Sequence, residues 1–193
     1  AVIKIAADVL QQQSTLDKPE KLKNYAGIIR DQTSHLQSQV QRLLEIAYTD
    51  RSSLPLKKEK FDINLLIAES INDLQPLIEQ KHAVLNTNFA VEQLELTADR
   101  SYLRLCLINL IENAIKYSTA PVIDISTKVD GTTLFIVIKD NGIGIATEHQ
   151  KKIFERFYRI TDGELHISKG FGLGLNFVKK VIDTHHGKIE VMS

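Results

Sequence analysis

The first fifty residues repeat apolar positions at helical spacing, and the remainder mixes strand-like and helix-like stretches. Val2, Ile3, Ile5, Ala6, Val9 and Leu10 predict a helix over residues 1–13. A polar break (Ser14, Thr15, Asp17, Lys18) follows, and Pro19 suits the first turn of a second helix. From Leu22 through Tyr25, Ile29, Leu36, Val40, Leu43 and Ala47 the steps are threes and fours, with Gln32 filling the missing register. The pattern predicts an antiparallel helical hairpin over residues 1–50. A lone hairpin cannot cover both apolar faces. A second copy completing a four-helix bundle, a homodimer through residues 1–50, is one solution, and packing on its own chain is the other.

The stretch Thr49-Asp50-Arg51-Ser52-Ser53-Leu54-Pro55 ends the helical pattern, and residues 51–55 read as a linker. A second unit then occupies 56–193. It predicts a strand at 56–62, a helix at 63–80 with Pro76 near its end, strands at 83–90 and 94–98, and a helix at 99–118. A hairpin at 121–129 and 132–139, turning on Asp130-Gly131, comes next. Helices at 147–159 and 173–185 flank an aperiodic polar segment at 160–169. Ile189-Glu190-Val191-Met192 reads as a strand with no partner after it, and Ala1 as already mid-helix, so both ends read as cut. Strands and helices without regular βαβ alternation predict an α+β class, a helical hairpin followed by an α/β sandwich.

Composition narrows the partners. Lys plus Arg and Asp plus Glu each number 24, a balance that argues against nucleic acid, whose binding surfaces carry excess cations. The one cysteine, Cys106, lies in an apolar helical run and cannot form an internal disulfide, which fits a reducing compartment. No run of ~18 apolar residues and no signal peptide is present, so the chain reads as a soluble intracellular piece.

Three stretches carry chemistry. The apolar run Leu134–Ile138 reads as a buried strand delivering Asp140-Asn141-Gly142-Ile143-Gly144, a carboxylate at a pocket mouth with glycines that let backbone approach a flat ligand. A plain strand-to-loop turn fits this stretch equally. On the helix at 99–118, Leu103, Leu107, Leu110 and Ala114 form one stripe, while Asn109, Asn113 and Lys116 share another face. Magnesium with phosphate oxygens would satisfy that second row, as would solvent. Gly170-Phe171-Gly172-Leu173-Gly174-Leu175 opens a helix whose N–H groups and dipole would favour an anion. It lacks the G-K-[ST] of a Walker loop and the βαβ setting of a dinucleotide fingerprint. Between the glycine stretches, Phe154-Glu155-Arg156-Phe157-Tyr158-Arg159 reads as the hinge of a lid or as ordinary core packing.

Taken in order, Asn-x-x-x-Asn-x-x-Lys-Tyr, D-x-G-x-G, F-x-x-F-Y-R and G-x-G-x-G resemble the N, G1, F and G2 boxes of the two-component sensor histidine kinases, whose ATP-binding domain has the Bergerat fold also found in gyrase-type ATPases. The resemblance is dense over 56–192 and extends to 1–50 as the dimerisation hairpin. It implies ATP and Mg²⁺ as cofactors, with Asn113 as the metal ligand and Asn109 beside it on phosphate or metal-bound water. It further implies Lys116 on the phosphates, Tyr117 against adenine, and Asp140 accepting from the adenine amino group. Gly142, Ile143 and Gly144 would border the base. Arg159 would meet the γ-phosphate, Phe157 would line the site, and Gly170, Phe171, Gly172, Leu173, Gly174 and Leu175 would cover the triphosphate. Asn109, Lys116 and Arg159 are the residues implied in catalysis.

Gyrase-like relatives of the fold place a glutamate where Asn109 stands, and an amide cannot serve as a general base. Glu112 points about 100° around the helix from Asn113. The pattern therefore favours γ-phosphoryl transfer to a protein histidine, and onward to a response-regulator receiver domain, over an ATP-hydrolysing enzyme or a dimeric scaffold with a vestigial site. The family's acceptor box is expected just before Ala1. Of the histidines present, His35 reads as a surface or seam residue and His185-His186 as a helix end. The resemblance also implies the cytoplasmic portion of a membrane-anchored bacterial sensor, its anchor in a parent region outside these residues.

Overall fold

The structure, a computed structural model, describes residues 2–11, 18–30, 32–33, 54–160 and 172–193. The chain forms two compact units, Ala1–Ser52 and Ser53–Ser193. In the first, helix α1 (Val2–Leu10) buries Ala6, and helix α2 runs over residues 19–30. Helix α2 starts at Pro19, and the Lys18 carbonyl accepts from the N–H groups of Lys21 and Leu22. The end of the first helix and most of the polar break expected at Ser14, Thr15, Asp17 and Lys18, like the second helix beyond residue 33, lie outside the described residues.

The second unit contains β1 (Glu59–Asp62), α3 (Ile63–Asp73), α4 (Gln75–Lys81), β2 (Val84–Asn88), β3 (Glu95–Ala98) and α5 (Arg100–Lys116). It continues with β4 (Val122–Asp130), β5 (Thr133–Asp140), α6 (Thr147–Gln150), a 3₁₀ turn (Lys152–Phe154) and α7 (Gly174–Thr184). β1 pairs antiparallel with β3. The other sheet has the order β2-β4-β5, with β2 parallel and β5 antiparallel to β4. Helix α5 lies against α3 on one side, α7 on the other, and β4 and β5 beneath. Ile63, Leu66 and Ile67 of α3, Ile111 and Ile115 of α5, Ile123 and Ile125 of β4, and Val178 and Val181 of α7 are fully buried. Burying such side chains contributes about 1.5–3 kcal/mol each, and the helices form where their apolar stripe reaches this core.

One buried amide reaches between the sheets. Asn64, 5% exposed, donates to Val91 O at 2.8 Å, and its Oδ1 lies 3.5 Å from Thr127 Oγ1 on β4. Thr127 Oγ1 in turn accepts the Ala90 N–H at 3.2 Å.

Five local expectations are corrected. The helix expected at 63–80 is two helices, because Pro76 cannot continue a helix and instead sits in the first turn of α4, after a break at Leu74. The hairpin turns on Gly131-Thr132, since Asp130 still pairs with Thr133. Gly131, with φ 57°, takes the first central position of a II′-type turn. The helix expected at 147–159 stops early. Of its second half only Ile153 is buried, and the Phe157 N–H bonds Gly172 O rather than a carbonyl one turn back. Ile189–Met192 joins no sheet, although Ile189 and Val191 are half-buried in alternation. Leu134–Ile138 is not buried on both faces: Phe135 and Val137 stand outward at 46% and 44% exposure.

Candidate functional site

Helix α5 is the spine of the site. Asp99, 5% exposed, caps it: Oδ1 accepts the Tyr102 N–H at 3.0 Å and Oδ2 accepts the Lys57 N–H at 2.7 Å. The buried face carries Leu103, Cys106, Leu107, Ile111, Ala114 and Ile115, and Leu110 of the expected stripe is only partly covered. Burial pushes the Cys106 thiol up to about 12.

The opposite face presents the polar row. Asn109 Nδ2 donates to Leu105 O at 2.9 Å, which turns Oδ1 outward. Asn113 is half-buried, and its side-chain amide makes no protein hydrogen bond among the described residues. Lys116 Nζ rests on Glu112 Oε2 at 3.1 Å, on the exposed end of the helix.

At the end of β5, Asp140 pairs with Ile123 and so shares the sheet face of Ile138 and Ile136, toward the helices. Its Oδ1 accepts the Gly142 N–H at 2.8 Å, and its Oδ2 has no protein partner among the described residues. A Cβ on Gly142 would stand 2.8 Å from Tyr117 O, so only glycine fits there. The Ile143 N–H bonds that same carbonyl at 3.0 Å, and the Ile143 side chain is exposed. Gly144 has φ +74°. The backbone of Tyr117 and the glycine turn are therefore in contact.

Asn141, to which the sequence reading gave no role, binds three groups of the 118–122 loop. Its Oδ1 accepts from Val122 N–H and Ser118 Oγ, and its Nδ2 donates to Ala120 O, each at 2.9 Å.

The third and fourth motifs meet each other and then α5. A Cβ on Gly172 would fall 2.7 Å from Tyr158 O and 3.2 Å from Arg159 Cγ, and Gly172 O accepts the Phe157 N–H at 3.1 Å. Phe157 has φ 62° and is 72% exposed. Tyr158 OH and His149 Nδ1 are 2.6 Å apart, and Asn176 Nδ2 donates to Phe154 O at 2.8 Å. Leu173 is buried, leaving its backbone alone to offer, and Leu175 is half-buried. A Cβ on Gly174 would lie 2.5 Å from Asn109 Oδ1. Gly170 and Phe171 lie outside the described residues.

The contacts run Arg159 to Gly172, Gly174 to Asn109 and Tyr117 to Gly142, so four segments distant in sequence meet around the C-terminal half of α5. The helix of eleven residues beginning at Gly174 brings its partial positive charge beside Asn109. No cluster of three or more His, Cys, Asp or Glu residues suited to a metal exists among the described residues. A divalent cation beside Asn113 would therefore take most of its oxygen ligands from water and an anionic ligand, the habit of Mg²⁺.

Comparison with known proteins bears on the family and the fold. Residues 98–193 match the family of histidine kinase-, DNA gyrase B- and HSP90-like ATPases. The sensor protein RprX of Bacteroides fragilis is 35% identical over 196 residues, covering all of this chain and 38% of its own length. This chain thus spans well under half of that curated relative. Among solved structures, the catalytic domain of histidine kinase ThkA is 30% identical, with a TM-score of 0.62 over 69% of this chain and 87% of that one. The structure of ThkA in complex with the response regulator TrrA covers 96% of this chain and 52% of that one, at 28% identity and TM-score 0.64. The full-length kinase ShkA, solved in complex with AMPPNP, shares the fold at TM-score 0.72, covering 91% of this chain and 36% of that one, at 23% identity. The chain belongs to the two-component sensor histidine kinases, as a catalytic region of the Bergerat ATPase fold.

Proposed function

We propose that the Ser53–Ser193 unit holds ATP with Mg²⁺ against α5 and positions its γ-phosphoryl for transfer to a histidine of the kinase's dimerisation region, for relay to a response-regulator aspartate. The observation that carries this reading is the half-buried Asn113 amide, without a protein partner among the described residues, on the helix face where the two glycine segments converge. A polar group in that position calls for a polar ligand. Asp140 Oδ2 offers an acceptor to the adenine amino group, and the Tyr117 segment borders the same turn. Asn109, facing Gly174, and the start of α7 would receive the phosphates, with Arg159 beside Gly172 at their far end. Lys116 would leave Glu112 to meet a phosphate as a point charge. Asn109 cannot draw a proton from water, so the geometry serves phosphoryl transfer by positioning rather than hydrolysis.

The hairpin of residues 1–50 would pair with a second copy, with 51–55 as the link to the catalytic domain over 56–193. Among the described residues no helix is long and apolar enough to cross a membrane. The reading assigns any membrane anchor to a parent sensor region and this portion to its cytoplasmic side.

Calorimetric titration with a non-hydrolysable ATP analogue tests the site. Wild type should bind more tightly with Mg²⁺ than without, and Asn113→Ala should lose that difference while adenosine binding stays near normal. An unchanged magnesium response removes Asn113 from the site. For the reaction, γ-labelled ATP and a kinase chain carrying the acceptor histidine should yield acid-labile, alkali-stable protein phosphate. Steady release of inorganic phosphate without it would overturn the transfer reading.

A further inference from the structure

We propose that Asn141 is a specificity-determining positioning residue, whose side-chain amide fixes the Asp140 carboxylate against the 117–122 segment so that the site prefers a 6-aminopurine to a 6-oxopurine. The inference rests on the nucleotide reading above.

The β4–β5 ladder ends at the pair Ile123 and Asp140. The next rung would join Val122 to the backbone of residue 141. The Asn141 side chain takes that rung instead: Oδ1 accepts the Val122 N–H at 2.9 Å, standing in for a strand carbonyl. The same oxygen accepts the Ser118 hydroxyl, and Nδ2 donates to Ala120 O. Because the side chain completes the ladder, the backbone after Asp140 can turn at once. Gly142 N–H then folds back onto Asp140 Oδ1, and Ile143 N–H reaches Tyr117 O. One oxygen of Asp140 is thereby committed and the other is left to face a ligand, at a place set by the clip.

An ionised carboxylate only accepts hydrogen bonds. It gains from a 6-amino group and opposes the lone pairs of a 6-oxo group, and such discrimination depends on the acceptor being held in place. Alanine at 141 would remove all three bonds and let the two walls of the slot drift apart. Aspartate keeps the two acceptor roles, loses the donor and sets a carboxylate against Ala120 O.

The test compares ADP with IDP, which share ribose and diphosphate, on wild type, Asn141→Ala and Asn141→Asp, with melting curves confirming that each is folded. Wild type should prefer ADP by about tenfold or more, the worth of one charge-assisted hydrogen bond. In Asn141→Ala that preference should fall to about a third of its wild-type value or less, through weaker ADP binding and with IDP affinity nearly unchanged. Asn141→Asp should also narrow it. The added charge affects both ligands alike, so the ratio still reports if the alanine variant does not fold. Wild type indifferent to the base would overturn the adenine assignment and this inference together. A full ADP preference retained in folded variants would overturn this inference alone.

Discussion

His185 Nε2 accepts the backbone N–H of Asp99 at 2.9 Å, while its Nδ1–H donates to Val181 O at 2.8 Å. One imidazole thus joins the last turn of α7 to the N-cap of α5. At the other end of α7, Gly174 abuts Asn109. The two helices run antiparallel, joined by a hydrogen bond at the His185 end and closely packed at the Gly174 end.

Replacing His185 with alanine leaves the Asp99 N–H without its acceptor and should cost about 1–3 kcal/mol of stability. Glutamine, which has both an acceptor and a donor, should recover part of it. Urea unfolding of the three proteins checks this, and equal midpoints for wild type and His185→Ala would contradict it.

Gly174→Ala separates helix propensity from fit. In an open helix the change should stabilise by up to about 1 kcal/mol. Here the new methyl group must push the Asn109 amide off its bond to Leu105 O. The variant should stay folded yet bind ATP about tenfold more weakly or worse, while adenosine affinity barely moves. Titration with the two ligands gives the answer.

His186 sits at φ 59°, just past the end of α7, in the left-handed region where glycine is the usual helix terminator. His186→Gly should raise stability by about 0.5–1 kcal/mol by removing that strain. A melting temperature equal to or below that of wild type would show that the imidazole makes up the difference.

Cys106 predicts a pH dependence. Its folded-state value of about 12 lies above the ordinary 9.0, so the unfolded chain releases the thiol proton first. The stabilising difference is complete below pH 9 and is lost as pH rises from there toward 12, with a slope of about 1.4 kcal/mol per pH unit. Unfolding midpoints between pH 8 and 11 should fall more steeply for wild type than for Cys106→Ala. Thiol reagents at neutral pH should label Cys106 only on unfolding.

The parts legible in the sequence are those where one local pattern decides the outcome. The long apolar period of α5, the alternation in β4 and β5, and the stripe of α7 each persist far enough to override their ends. The glycine stretches are legible because a side chain at Gly142 would run into the Tyr117 backbone, and one at Gly174 would have to displace the Asn109 amide. Other features depended on partners remote in the chain. Asp99 gathers the backbone of Lys57 and the ring of His185, 42 and 86 residues away, yet in the sequence it is merely an acid before a helix. Asn141 stands in the sequence between an acid and a glycine, and nothing local shows that it completes a sheet rung. Residues 155–159 leave the helical path: Phe157 stands exposed with its N–H on Gly172 O, a partner remote in the sequence.

The hydrogen bonds around Asn64 have a practical consequence for building chimaeras. Swapping the β4–β5 hairpin for that of a related kinase would leave Asn64 Oδ1 and the Ala90 N–H without their Thr127 partner unless a hydroxyl stood at position 127. The transplant boundary that respects this chemistry runs around both sheets rather than between them.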